Sequence, residues 1–253
     1  MPDVIALYGW PLLLAMTAAS VLIGFSKTSF GGIAAISVAV FALAMPAKES
    51  TATVLLLLIV GDLIAILRYR TVSWRLLLKL VPSVIPGLLL GALFMNFVDD
   101  TTMRRTIGLL LLLMVGIQVW QRLARPKADL SPNTDPHWGR ASLTGTAAGF
   151  ATMTANAAGP VMALYFLAAR IDKARFIGTN AWFFALINVS KVPLAASLGL
   201  FTVEGIVLDL FMIPAVLLGA LLGAWVIKHV TQRQFEAVTI VASAVSAATL
   251  LLR

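Results

Sequence analysis

Apolar runs separated by short polar connections recur along the whole of this 253-residue chain. Runs such as Leu55 to Ile66 and Ile107 to Val119 sit inside charge-bounded stretches of roughly 20 residues, the length a helix needs to cross a bilayer. The pattern predicts helical segments near Val4 to Phe25, Ile33 to Ala44, Thr53 to Leu67, Leu76 to Val98 and Thr106 to Leu123. A second set follows near Ala141 to Met153, Pro160 to Ala169, Ile177 to Val192, Gly205 to Ile227 and Phe235 to Leu252. Between the sets, Arg122 to Arg140 carries Pro126, Pro132, Asn133 and Pro136, which favour turns and extended chain. The expected organisation is a first transmembrane repeat over 1–124, a hydrophilic linker over 125–138 and a second repeat over 139–253.

The two sets share an order of features. Gly24-Phe25 opens a polar interruption ending at Gly31-Gly32, and Gly149-Phe150 opens one ending at Gly159-Pro160. Lys48 and Lys173 then start comparable helices, and one constant offset carries Pro82, Gly87 and Gly91 onto Pro214, Gly219 and Gly223. Internal duplication explains this order. If each block crossed once, the basic residues would divide almost evenly between the two sides. If Val4 to Ala44 and Ala141 to Ala169 instead fold as broken hairpins, only Lys48, Arg104, Arg105 and Arg253 face one side. Arg68 to Lys79, Arg122 to Arg175, Lys228 and Arg233 then share the other, a positive-inside asymmetry. The expected fold is an all-α polytopic membrane protein of two inverted repeats, each a broken (re-entrant) helix pair plus three transmembrane helices. Against the hairpin stands Val4 to Phe25, long enough to cross alone.

Composition narrows the chemistry. The chain is 60% hydrophobic and 12% charged, a membrane composition. It has no cysteine, which excludes disulfides and thiolate sites, and its histidines, His137 and His229, lie in polar connections, so neither a metal nor a cofactor is expected. The net charge of +8 is spread through short connections rather than gathered on one face, which argues for topology signals and against nucleic acid. The amino terminus lacks a basic n-region, so the first segment is expected to be retained.

Lys27 and Lys191 fall outside that topology count, and a lysine inside a bilayer needs a partner, a wet cavity or a bound anion. Lys27 lies in Ser26-Lys27-Thr28-Ser29-Phe30-Gly31-Gly32, where an unwound backbone would leave the helix resuming at Ile33 with free N–H groups aimed into the gap. That is an anion-binding arrangement. The second half offers Thr152, Thr154, Asn156, Gly159 and Pro160 at its own break, while Asn180, Asn188 and Lys191 fall on one helical face. The candidate substrate-binding residues are Lys27, Thr28, Ser29, Gly31, Gly32, Asn156, Gly159, Asn180, Asn188 and Lys191. Asp62, centred in an apolar run, could neutralise Lys27, carry a coupling proton or sit near the interface. The bland alternatives are that glycine and proline only kink packed helices and that Lys191 snorkels to the membrane edge. Gly87 to Gly91 and Gly219 to Gly223 are G-x-x-x-G motifs that favour close helix packing, within or between subunits.

Three stretches carry a family resemblance: Gly24-Phe25-Ser26-Lys27-Thr28-Ser29-Phe30-Gly31-Gly32, Ala155-Asn156-Ala157-Ala158-Gly159-Pro160, and Phe176-Ile177-Gly178-Thr179-Asn180 through Asn188-Val189-Ser190-Lys191-Val192-Pro193. In this order they resemble the sulfite exporter TauE/SafE transporters. The chain departs from the family's pattern at Thr28 and Ala158, where glycine is common. The resemblance implies a multi-pass protein of the bacterial inner membrane that handles sulfite, an organosulfonate or a related small anion, and implies export. Alternating access at a midplane site is the expected mechanism. An ion or proton gradient would drive it, because no G-x-x-x-x-G-K-[ST] loop is present. The competing readings are an anion channel and an intramembrane lipid-phosphate enzyme; the second lacks the clustered acids or histidines it would need. The expected partners are the anion and the lipid bilayer, with a homodimer left open.

Overall fold

A computed structural model describes residues 2–29, 33–124, 138–159, 161–162, 165 and 173–226. They form α1 (Pro2–Thr28), α2 (Ala34–Ala44), α3 (Ala47–Arg68), α4 (Trp74–Phe97), α5 (Asp100–Ala124), α6 (Trp138–Ala155), α7 (Lys173–Ser197) and α8 (Val203–Val226). The linker up to residue 137, most of Pro160 to Ala169, Phe235 to Leu252, His229, Gly31 and Gly32 lie outside the described residues. Among the described residues, five helices are long and apolar enough to cross a membrane: Tyr8–Thr28, Ala47–Arg68, Trp74–Phe97, Asp100–Trp120 and Val203–Val226. The protein is an all-α polytopic membrane protein. Its outer surface carries Leu67, Leu78, Phe97, Leu109 and Leu221, all more than half exposed, as lipid-facing positions should be. Exposed Trp74, Trp120 and Trp225 mark one end of the bundle, where such rings anchor at an interface.

Helix boundaries follow local chemistry. Asp99 Oδ1 accepts the Thr102 N–H at 3.0 Å and caps α5. α7 stops in a Schellman turn: Gly199 takes φ 67°, its N–H donates to Ala196 O and the Leu200 N–H to Ala195 O. The Thr202 hydroxyl then accepts the Gly205 N–H at the start of α8. The first helix runs three residues past the expected Phe25. The hydroxyls of Ser26 and Ser29 fold back onto Ile23 O and Phe25 O, so Ser26 to Thr28 continue the helix and Lys27 sits in its last turn, before helix resumes at Ala34. The later break is where the sequence places it: Asn156 adopts φ 49°, and its N–H and that of Ala157 turn back to Thr152 O and Ala151 O.

The glycine motifs set the packing, and they do so within one chain. A methyl at Gly24 of α1 would fall on the Val216 carbonyl of α8, and one at Gly219 on the Val21 carbonyl. A methyl at Gly149 of α6 would likewise meet Val84 O of α4, and one at Gly87 would meet Thr146 O. α1 therefore lies against α8, and α6 against α4, with backbones nearly in contact. Tyr69 OH donates to Thr28 O at 2.9 Å and Gly223 abuts Phe25, so α1 and α8 both finish near the start of α4. At the other end, Asp100 Oδ1 accepts the Lys48 N–H and Gly205 faces Thr53. α4 and α8 thus run in opposite directions. α2 turns back along α1, its Ser37 hydroxyl on Ala19 O at 2.7 Å, and returns to the end where α1 begins.

Candidate functional site

Four helices bring a chain of polar groups together beside a cavity. Lys27, at the end of α1, places Nζ 2.6 Å from Asp62 Oδ1 of α3, with the Asp62 side chain 1% exposed. Asp62 Oδ2 accepts Asn188 Nδ2 of α7 at 2.7 Å. The Asn188 carbonyl oxygen accepts Lys191 Nζ at 3.2 Å, and that ammonium also donates to Thr152 Oγ1 at 3.4 Å and to Asn156 Oδ1. Asn156 closes the chain by donating Nδ2 to Thr51 O at 3.1 Å. The Lys27 ammonium lies 4.9 Å from the Phe184 ring centroid, within cation–π range.

The helical repeat explains how α7 contributes so much. Asn180, Phe184, Asn188 and Lys191 follow at four, four and three residues, so they share one face across three turns. Lys191 is 2% exposed, which excludes snorkelling. Among the described residues no carboxylate lies within ion-pair distance of it; neutral oxygens alone receive its protons. Lys27 is different, because Asp62 neutralises it.

The cavity, of ≈ 70 Å³, is bordered by Lys27, Asp62, Thr152, Asn156, Gly159, Asn180 and Asn188. One ordered water needs only about 10–15 Å³ of such space, so a small oxyanion fits. Lys191 stands behind Thr152, Asn156 and Asn188 and orients them. A Cβ at Gly159 would meet none of the described residues. Thr28 and Ser29 do not border the cavity: Thr28 donates to Ala220 O of α8 at 2.7 Å and Ser29 to its own helix. Gly31 and Gly32 lie outside the described residues. Met114 and Gln118 of α5 also line the cavity, and Ser26 joins them. Gln118 has no signal in sequence beyond being polar within an apolar helix. Among the described residues no group of three or more histidine, aspartate or glutamate side chains could hold a metal.

Comparison with curated proteins and with solved structures gives no match. The protein-family model described as Sulfite exporter TauE/SafE matches residues 16–250, and the chain belongs to that family.

Proposed function

On that membership, we propose that this protein is a secondary transporter that exports sulfite, an organosulfonate or a related oxyanion across the bacterial cytoplasmic membrane by alternating access. The observation that carries the reading is Lys191, a buried ammonium with three neutral acceptors and no carboxylate in reach among the described residues. A charge in that setting is strongly disfavoured unless an anion lies nearby, on the far side of those acceptors. The cavity in front of its partners supplies the room. Lys27 supplies the second cation, and Asp62 keeps it neutral while the site is empty. An arriving anion replaces Asp62 on Lys27, with Asn180 and Thr152 offering hydrogen bonds to its oxygens.

The two-fold character of the packing supports inverted repeats over 1–124 and 139–253. α1 meets α8 as α6 meets α4, through the glycines that the sequence offset pairs, and α4 and α8 are antiparallel. In this reading α1 and α2 enter and leave by one face, with α1 penetrating to the level of Gly223. The test is unfolding of the purified protein with sulfite, thiosulfate, sulfoacetate, taurine, sulfate and small carboxylates, since ligand bound to the folded state raises its apparent stability. A selective rise is expected, lost in Lys27→Ala and in Lys191→Ala. No rise with any anion, or one indifferent to both lysines, would remove the anion site.

A further inference from the structure

Asp209 belongs to no part of the site described, yet it is a charged side-chain type set in a buried, apolar environment. It lies in the spanning helix Val203–Val226, is 5% exposed, and neither carboxylate oxygen has a hydrogen-bond partner among the described residues. Its place is fixed by its neighbours on the same stripe. Gly205 faces Thr53 of α3, Met212 Sδ accepts the Thr17 hydroxyl of α1 at 3.5 Å, and Val216 packs on Gly61 beside Lys27. Asp209 therefore lies about 6 Å along the helix from Gly205 and about 10 Å from Val216. The groups at the near end are Tyr8 of α1, Lys48 and Glu49 of α3, and Glu204 of α8; Lys27 and Asp62 lie at the far side. Among the described residues no cation comes within ion-pair distance of it.

We infer that Asp209 is the proton-binding site that couples transport to the proton gradient, an inference that rests on the transporter reading above. A bare carboxylate without donors is strongly disfavoured in this interior, whereas the neutral acid needs far less support. The conformation described here is thus the one that holds a proton on Asp209. The proton comes from water at one membrane face and returns to water at the other when the helices rearrange; only an O–H bond forms and breaks. Asp62 is less suited to that duty, because Lys27 and Asn188 engage both of its oxygens as an anion. Packing does not require a carboxylate at this point either. The offset that carries Pro82 to Pro214 carries Leu77, a buried leucine of α4, to Asp209.

The experiment combines infrared spectroscopy with flux. Wild-type protein at neutral pH should show the carbonyl band of a neutral carboxylic acid, absent in Asp209→Asn and retained in Asp62→Asn. In sulfite-loaded vesicles, an imposed pH gradient should accelerate wild-type efflux and leave the rate of Asp209→Asn unchanged, a stimulation ratio of about one. Asp209→Leu, which copies Leu77, guards against misfolding: it should gain thermal stability with sulfite and share the insensitivity. A missing band in the wild type overturns the proton site. A gradient effect that survives in both variants overturns the coupling. A band that behaves as expected with no flux of any anion refutes the transporter reading and the coupling with it, and leaves a proton site that stands alone.

Discussion

Asp62→Asn should tighten anion binding while weakening the empty protein. Lys27 Nζ meets Asp62 Oδ1 at 2.6 Å with the carboxylate almost wholly buried, so an incoming anion must displace a charge-assisted contact to reach the ammonium. A contact of that kind contributes about 1.5–3 kcal/mol. At about 1.4 kcal/mol per decade, its removal raises anion affinity roughly ten- to a hundredfold. The empty variant suffers the opposite effect, because breaking a buried pair leaves its partner uncompensated at a cost on the order of 3–5 kcal/mol. The neighbouring amide adds to it: Asn188 Nδ2 now donates to Asp62 Oδ2, and an amide turned to accept from Lys27 would present it with a second donor. Unfolding of the purified variant across a sulfite titration separates the two effects. The expected curve starts below the wild type without sulfite and rises at lower sulfite concentration. Equal or weaker affinity in Asp62→Asn would refute the idea that the carboxylate and the substrate compete for Lys27.

Gly24→Ala and Gly219→Ala should each destabilise by about 1–3 kcal/mol or more, because the added methyl meets backbone that cannot yield, whereas Gly116→Ala, whose methyl meets none of the described residues, should gain up to about 0.5–1 kcal/mol. Chemical denaturation of the three variants checks the contrast, and equal effects would undo the packing argument. A single cysteine at Ala128, in a chain that has none, should stay unlabelled by an impermeant thiol reagent applied to intact cells. Labelling from outside would reverse the orientation of the linker.

The fold was legible where one physical rule dominated. Charge-bounded apolar runs located α3, α4, α5 and α8 to within a few residues at most boundaries, since a membrane helix must be both long and apolar. α1 runs three residues past its expected end because Ser26 and Ser29 look like loop formers until their hydroxyls find helix carbonyls, an arrangement invisible to composition. Lys27, Asp62, Asn156, Asn188 and Lys191 stood out because charged and amide groups in apolar segments are costly, and the structure joins them in one chain. Thr28 shares the hydroxyl-rich stretch around Lys27, but its own hydroxyl serves the contact with α8. Asp209 carries no such signal, because it sits only six residues into its helix, where sequence does not separate an interfacial carboxylate from a buried one.

The packing also limits how the site can open. α1 with α8, and α4 with α6, approach at backbone distance, and pairs so closely seated move as units more readily than they separate. The polar chain runs between these pairs through α3 and α7, so exposing the site to the opposite side has to break the chain rather than either pair. A disulfide inside one pair should therefore be tolerated. Thr17→Cys with Met212→Cys tests this, since the two side chains are in contact at 3.5 Å across α1 and α8. Oxidised double-variant vesicles should export sulfite at a rate close to that of the reduced protein. Loss of export on oxidation, restored by reduction, would show that α1 slides on α8 and would place the moving boundary inside the pair.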